Sequence, residues 1–300
     1  MARTEVSEVV EKIRRQVLAS YRTEIDVLAG LVDDEDTVLA LEDATSPNLI
    51  AGAVINVGGE VMRVRSVDAS ALEVTVIRGW GDSDEEAHDA GDIVWIEPRF
   101  TSQDIFDAIR DEIGSWSPRL FRVYGDTHSL AADAETLELP ATYAGVLHLT
   151  AVRRLLSDTT STAWPTTDVR FQRGTTAWDG ATTSGLLLRF KDPTAACSVY
   201  VEAALPFDAD AITYDDCDLV DDIGLAPSML DLLALGVKMR LMVDAEIDRT
   251  SRMVQDDPRR SEEVPPTAGL QSANALRQLY DRRMSDEIAR LHRLYPPRWT

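Results

Sequence analysis

The 300-residue sequence predicts an α+β protein with a helical bundle core, two inserted β-barrel or β-sandwich modules, and an extended C-terminal helix and tail. Three observations lead to this fold class. Apolar residues recur three or four positions apart in four segments, as in amphipathic helices. Two stretches between these segments consist of short β-type runs, which Gly, Asp, Ser and Thr separate. The simplest arrangement packs the helices together and lets the β modules protrude as insertions.

Residues 1–32 are predicted to form an N-terminal helix, because the apolar side chains between Val6 and Leu28 lie on one helical stripe. The acidic run DDED ends this helix. In residues 35–98 the pattern changes to β-type runs such as LEVTVIR and DIVWIE. Within LEVTVI, apolar and polar residues alternate as a half-buried strand requires. This stretch is therefore predicted to be a small β module.

Residues 101–116 are predicted to form a helix of the core bundle, because Thr101 and Asp104 fit a capping box and apolar residues follow at helical spacing. β-type runs return in residues 118–207, with connections rich in Thr, Ser and Gly, and predict a β-sandwich-like module. Within it, residues 143–156 fit a helix as well as a strand. The neighbouring strands favour the strand.

The remainder of the chain predicts two helices and a linker. Residues 224–254 have a helix-start signal at Pro227 and are apolar around most of their circumference, which predicts a central core helix. The Pro-rich segment QDDPRRSEEVPPTAG predicts a flexible linker over residues 255–270. Residues 271–300 are predicted to form an amphipathic helix followed by the tail LYPPRWT.

The composition predicts a soluble protein made in the cytoplasm. No stretch approaches the roughly 18 to 20 uncharged apolar residues that cross a bilayer, and the charged N-terminus lacks a secretory apolar segment. Cys197 and Cys217 have no metal-ligand spacing and predict free thiols. The net charge of -22 argues against general binding of nucleic acids or anionic membranes. Residues 277–298 differ, with six Arg against three acidic residues, and predict a tail that seeks an acidic or polar partner.

No motif in the sequence predicts an enzyme, a cofactor or a metal site. The run GWGDSD lacks the third Gly of a dinucleotide fingerprint, and Walker and G-x-S-x-G patterns are absent. None of the four His is paired with a Ser or Cys nucleophile; His148 is predicted in the core and His292 on the exposed side of the last helix. The Asp-rich segment 208–222 is the strongest candidate for a cation site, but it lacks the EF-hand order. A solvated acidic surface is the preferred interpretation.

Residues 76–96, VIRGWGDSDEEAHDAGDIVWI, place a Trp, a lone His and an acidic run between two apolar strands. The three glycines of this stretch permit backbone angles that other residues resist, which predicts a long turn with one helical turn at 83–89. His88 has no partner that would make it a catalyst, and we expect it to pack inside the turn against Trp80. The predicted structural turn consists of Gly79, Trp80, Gly81, His88 and Gly91.

This turn resembles an element common in virion proteins of tailed bacteriophages. The shared pattern is Val-x-Arg-Gly-aromatic, a short polar run and His-x-x-Gly-Asp-x-Val, preceded here by GEVMRVRSV. In this chain it consists of Val76, Arg78, Gly79, Trp80, His88, Gly91, Asp92 and Val94. The amphipathic helices, the linker and the basic, Pro-containing tail also resemble head-to-tail connector (adaptor) proteins of siphophages that infect actinobacteria.

The resemblance implies a structural protein of the virion neck at the head-tail interface, assembled in the host cytoplasm without a cofactor or membrane partner. Such adaptors form a dodecameric ring beneath the portal protein and pass the channel to a stopper or tail protein. An acidic channel would let DNA slide through without binding. The last helix would place its apolar face in a portal groove, steered by Arg, and the Pro-Pro end would stay stiff. The implied portal-docking residues are Arg277, Arg282, Arg283, Arg290, Arg293, Tyr295, Pro296, Pro297, Arg298 and Trp299.

A second interpretation is a minor tail or baseplate protein whose β modules bind a receptor or a carbohydrate. Trp164 and Trp178 lie in Thr- and Gly-rich loops and would stack on a sugar or on a partner's side chain, although packing at the edge of the core is the commoner role of such residues. A third interpretation, an enzyme, has no motif to support it.

Overall fold

The computed structural model describes residues 4–18, 24–154, 169–174, 184–191, 196–253 and 268–298. The α-helices in these ranges are α1 (Val6–Leu18), α2 (Ser102–Ser115), α3 (Leu230–Met253) and α4 (Ala268–Leu294). The strands are β1 (Glu24–Val27), β2 (Val38–Ala40), β3 (Val54–Val57), β4 (Glu60–Asp68), β5 (Glu73–Ile77), β6 (Ile93–Ile96), β7 (Arg122–Leu130), β8 (Thr136–Glu138), β9 (His148–Arg154), β10 (Val169–Arg173), β11 (Leu186–Phe190) and β12 (Cys197–Leu205). Short 3-10 helices cover Ala141–Tyr143 and Pro227–Met229.

The predicted helical bundle core with an extended C-terminal helix is wrong. Strands in curled sheets form most of the fold, and the helices do not make a bundle. Helix α1 lies against a sheet, because Arg14 donates to the Asn56 side chain of β3 and its guanidinium lies 5.1 Å from the ring centre of Trp95 on β6. An apolar helical stripe fits a sheet as well as another helix, so periodicity alone did not distinguish the two arrangements.

A six-stranded antiparallel sheet in the order β1-β6-β3-β4-β5-β2 forms the first β module. The sheet curls until its outer strands meet, since Leu28 and Leu41 form a bridge directly beyond β1 and β2. Aliphatic side chains of β2 to β6 fill its interior. The predicted N-terminal helix ends at Leu18, and residues 24–27 form a strand instead of its continuation. Here pairing with β6 outweighs the local helical spacing.

The second β module contains two three-stranded antiparallel sheets, β10-β11-β8 and β7-β12-β9. Both sheets contribute to one apolar core, for example through Leu188 of β11 and Val199 of β12. Tyr143 is fully buried in this core, and its hydroxyl donates to the Val201 carbonyl over 3.0 Å. The ambiguous stretch 143–156 contains β9, so the preference for a strand is confirmed.

The chain divides into two compact units, residues 1–113 with 209–281 and residues 114–208 with 282–300. The first unit contains the six-stranded sheet with α1 and α3, and the second contains the two three-stranded sheets. The predicted linker, 255–270, lies outside the described residues except for its last three positions, which begin α4. Among the described helices, none is both long and apolar enough to span a membrane.

Candidate functional site

Arg78, Gly79 and His88 gather around one buried carboxylate, that of Glu60 at the start of β4. Arg78 donates from Nε and Nη2 to the two carboxylate oxygens, each over 2.7 Å. His88 Nε2 lies 2.9 Å from Oε2. The backbone N–H groups of Gly79 and Glu86 donate to the same carboxylate over 3.1 and 3.3 Å. Glu60 is 0% exposed, so this carboxylate is bound entirely by the protein.

These bonds keep Glu60 ionised in spite of its burial. Burial alone would raise its pKa, but the bonds from His88, Arg78 and the two backbone N–H groups outweigh burial and lower the pKa to about 2. Arg78 extends the network, because its Nη1 donates to the carbonyl oxygens of Asp33 and Asp36 over 2.7 and 2.9 Å. One carboxylate therefore fixes the turn and a second loop to the end of the sheet.

The structure of the turn residues differs from the prediction in two respects. Three of them adopt the left-handed backbone region that favours glycine: Gly79 (φ 58°), Gly81 (φ 70°) and Gly91 (φ 98°). His88 binds Glu60 and does not pack on Trp80, whose ring centre lies 4.7 Å from the Arg63 guanidinium. The helical turn predicted over 83–89 is absent, because the network draws backbone groups of this stretch towards Glu60.

An open cleft of about 780 Å³ borders the Glu60 network. Helix α1 lines it with acidic, basic and polar side chains, namely Ser7, Glu8, Glu11, Lys12, Arg15 and Gln16. The remaining wall is formed by Gly58, Gly59, Glu86, Ala87, His88, Asp92, Tyr214 and Asp215. The cleft therefore brings acidic side chains together from widely separated parts of the sequence.

Two of these acidic side chains, Glu86 and Asp215, line the cleft and repel each other as like charges. Burial raises the pKa of Glu86 most, and the nearby Asp215 carboxyl and the charges of Glu60 and Asp84 raise it further, to about 8. The cleft thus contains a carboxyl group that is protonated at neutral pH beside a glutamate that is ionised down to about pH 2.

Tyr214 positions Asp215 at this cleft. Its hydroxyl donates to the Gly58 carbonyl over 3.2 Å, and its ring lies edge-on to Phe106 of α2, with 5.9 Å between the ring centres. A Cβ atom at Gly59 would come within 2.7 Å of the Tyr214 ring, so only glycine allows this approach. Burial raises the pKa of Tyr214 to about 12, and the hydroxyl therefore remains a donor at physiological pH.

A second buried glutamate, Glu112 of α2, connects three helices. Arg240 of α3 donates to its carboxylate over 2.7 Å, and the hydroxyl of Tyr280 on α4 donates to the other oxygen. Gly236 of α3 faces the same carboxylate so closely that a Cβ atom would clash with it. This arrangement stabilises the fold and does not border the cleft.

The C-terminal segment packs on its own chain. Helix α4 buries Tyr280, Met284 and Leu291. Beyond the helix, the Arg298 N–H donates to the Leu149 carbonyl of β9 over 3.1 Å. The protein itself therefore buries three of the apolar side chains on the face that we expected to enter a portal groove, whereas Leu279 of the same helix is 46% exposed.

His148 of β9 contacts the same segment. It is buried, as predicted, and its ring centre lies 5.0 Å from that of Phe121 and 6.4 Å from that of His292, which is exposed as predicted. Burial lowers the pKa of His148, and the charges of His292 and Arg173 lower it further, against a backbone bond with Tyr295. The neutral imidazole is thus the form that fits this contact.

Helix α4 and the adjoining tail have an exposed basic face, which the predicted docking residues form. The structure exposes Arg277, Arg282, Arg293, Pro296, Pro297 and Arg298 and half-buries Arg283, Arg290 and Tyr295, while Trp299 lies outside the described residues. Within the described ranges, Arg277, Arg282 and Arg293 form no ion pair, whereas Arg290 binds Glu287 over 2.7 Å.

Other candidates contribute no site. Asp218 of the Asp-rich segment accepts from the Thr4 hydroxyl over 2.7 Å and from nearby backbone N–H groups, so it closes a loop. In the part of the chain that the structure describes, no group of three or more His, Cys, Asp or Glu is placed to hold a metal ion. Cys197 and Cys217 form no disulfide with each other. Trp164 and Trp178 lie outside the described residues.

Sequence reasoning missed Glu60 and Glu86, whereas Asp215 lies in the Asp-rich segment that was considered for a cation. Glu60 lies in the run GEVMRVRSV, and an acidic residue directly after two glycines and before an apolar strand was a usable signal for a buried partner. Glu86 gave no local signal, because it lines the cleft with Asp215 only through the fold.

Comparison with known proteins adds no family to this description. No protein-family model matches the chain, and no curated protein matches its sequence. The functional interpretation therefore depends on the geometry of the turn and on the distribution of charge.

Proposed function

We propose that this chain is a structural virion protein that forms the head-tail connector (adaptor) ring between the portal and the stopper or tail. The Glu60 network is the observation that supports this proposal most. Arg78, Gly79 and His88, which carry the resemblance to phage virion turns, all bind the carboxylate of Glu60. Because these residues of one sequence pattern bind the same buried charge, the pattern corresponds to a structural unit. A chance sequence similarity would not require its residues to share one partner.

The distribution of charge is a second support. The chain carries a net charge of -22, which suits a channel that DNA must cross without binding. The exposed arginines of α4 stand apart from this acidic composition. In this proposal the acidic surface faces the DNA, and the basic face binds another protein.

The exposed arginine face of α4 and the adjoining tail form the portal-docking surface in this proposal. Arg282 and Arg293 lie on one stripe of the helix, because eleven residues complete about three turns. Exposed charges of this kind steer association and fix the orientation of the partners. The apolar face of α4 stabilises the protein's own fold instead.

Charge reversal on this stripe tests the proposal. Arg282→Glu with Arg293→Glu should weaken co-sedimentation with portal rings from the same phage by at least about tenfold, and more at low salt. The matched control is Arg65→Glu with Arg189→Glu, which makes the same charge change at exposed positions of β4 and β11. Equal weakening in both double variants, or none in the first, would contradict the assignment of the docking surface.

The receptor- or carbohydrate-binding interpretation gains no support from the described residues, because Trp164 and Trp178 lie outside them. We therefore retain the connector as the single proposed function.

A further inference from the structure

The two compact units of the chain differ in net charge. The first unit, residues 1–113 with 209–281, has 40 acidic and 17 basic residues and a net charge of -23. The second unit, residues 114–208 with 282–300, has 12 acidic and 13 basic residues and a net charge of +1. The excess of acidic residues therefore lies entirely in the first unit.

In the second unit, the outer face of the sheet β10-β11-β8 carries two neighbouring arginines. Arg170 of β10 and Arg189 of β11 lie directly opposite each other in the antiparallel register, and both are exposed. They face away from the core, because their strand neighbours Val169 and Phe190 are buried in it. Lys191 is also exposed and lies two residues beyond Arg189. We call the surface formed by Arg170, Arg189 and Lys191 the Arg170–Arg189 face.

The positive charge of this face is not compensated within the described ranges, where none of its three side chains forms an ion pair. On the neighbouring strand β8, the carboxylate of Glu138 accepts from the N–H and the hydroxyl of Ser184 over 3.0 and 3.3 Å. Like charges directly opposite each other in an antiparallel sheet are destabilising. A local arrangement that costs stability is expected where a surface has a function, such as binding a partner.

We propose that the Arg170–Arg189 face is the docking surface for a second copy of this chain, which contributes the acidic run 33–36 of its first unit. The inference rests on the proposed function, because it supplies the contact between neighbouring subunits of the ring. Charge complementarity selects this occupant, since every copy carries a net charge of -23 on its first unit. An arginine binds a carboxylate through two parallel hydrogen bonds, so two neighbouring guanidinium groups fit two neighbouring carboxylates.

The acidic run is exposed and its backbone is held in place. Asp33, Asp34, Glu35 and Asp36 are all exposed, and no other stretch of the described chain has four exposed acidic residues in succession. Arg78 donates to the carbonyl oxygens of Asp33 and Asp36, which ties the run to the Glu60 network. A segment that is already ordered loses little conformational entropy when it docks.

This contact joins two different surfaces of the chain. Each bound copy therefore still offers one free Arg170–Arg189 face or one free acidic run to the next copy. Contacts of this heterologous kind continue from copy to copy and form a ring when the rotation closes. A contact between two first units would instead bring like charges together, and their repulsion opposes it.

Sedimentation velocity of the full-length chain without portal rings tests the inference. Wild type should self-associate, and more strongly at low salt than at high salt. Arg170→Glu with Arg189→Glu removes the basic side of the contact and should weaken self-association at least about tenfold. Asp34→Lys with Glu35→Lys removes the acidic side and should weaken it by a similar factor.

The matched control for the basic side is Arg119→Glu with Arg153→Glu, which makes the same charge change at exposed positions of the second unit outside the face. Self-association should be unchanged in this control. The decisive sample is the quadruple variant that combines both pairs of contact changes, because it restores opposite charges across the contact with their signs exchanged. Its self-association should return to within about threefold of wild type, a recovery that misfolding could not produce.

A wild-type chain that remains monomeric even at low salt would overturn the inference. So would a quadruple variant that associates as weakly as the two double variants. Binding of a short DNA duplex that depends on the Arg170–Arg189 face, without self-association, would assign the face to nucleic acid and would also overturn it. The portal test stays separate when it is run at concentrations at which the chain alone is monomeric, because Arg189 in its control then cannot act through self-association.

Discussion

Replacing Glu60 by Gln preserves the shape of the side chain and removes the charge that Arg78 and His88 bind. In the folded protein the pKa of Glu60 is about 2, against an ordinary 4.5. At about 1.4 kcal/mol per pKa unit, this difference corresponds to roughly 3 kcal/mol of stability. Removal of one partner of a buried ion pair costs about 3–5 kcal/mol, which agrees with that figure. We expect Glu60→Gln to lower the free energy of unfolding by about 3 kcal/mol at pH 7.

The pH dependence makes this prediction specific. Because the pKa is lowered, the contribution of Glu60 is fully present above pH 4.5 and is lost as the pH falls towards about 2. The difference between wild type and Glu60→Gln should therefore shrink as the solution is acidified from pH 5 to pH 2.5. Urea unfolding followed by far-UV circular dichroism measures it, and hydrogen exchange of the β4 amides gives a local readout.

The control for this measurement is Glu73→Gln, an exposed change on β5, which should alter the free energy of unfolding by less than about 0.5 kcal/mol. A loss in Glu60→Gln no larger than that of the control would refute the reasoning. So would a loss of equal size at pH 2.5 and pH 7, because the carboxylate charge would then not be its cause.

Three further predictions concern other parts of the chain. Gly236→Ala should lower the free energy of unfolding by about 1–3 kcal/mol, although Ala normally stabilises a helix, because the added methyl group clashes with Glu112; thermal unfolding measures this. Because the pKa of His148 is lowered, its contact with the C-terminal segment should weaken as the pH falls below about 6.5. Hydrogen exchange of the amides of residues 295–298, corrected for intrinsic rates, should then show lost protection. Unchanged protection at pH 5.5 would contradict this prediction. Because the pKa of Glu86 is raised, the protein loses stability as the pH rises from 4.5 to about 8. The free energy of unfolding of Glu86→Gln should therefore equal that of wild type at pH 4 and exceed it by about 1–2 kcal/mol at pH 9, after allowance for solvent screening. Urea unfolding at the two pH values measures this difference.

Local patterns predicted several elements of this fold well. The alternation in LEVTVI corresponds to β5, in which Val74 and Val76 point into the core. The capping box forms, because the backbone N–H and hydroxyl of Thr101 both donate to Asp104 over 2.8 Å. The N-terminal prediction failed at residues 24–27, since the pairing of β1 with β6 is a contact between distant residues that helical spacing cannot reveal.

The candidate site shows the same limit more strongly. The turn itself was predictable, because its glycines and His88 lie close together in sequence. The carboxylate that holds the turn was not identified, although Glu60 lies next to a recognisable double glycine. The position of Asp215 at the same cleft as Glu86 depends on the packing of Tyr214 against Gly59, which no periodicity encodes. The apolar stripes that predicted a helical bundle were misinterpreted for a related reason. An apolar stripe shows which face of a helix is buried, but it does not show which element buries that face.

The connector proposal is tested most directly by negative-stain imaging of the full-length protein mixed with portal rings from the same phage. The proposal predicts a coaxial annulus of this chain stacked on one face of the portal ring. Portal rings that remain bare, beside a chain that stays monomeric at the same concentrations, would contradict it.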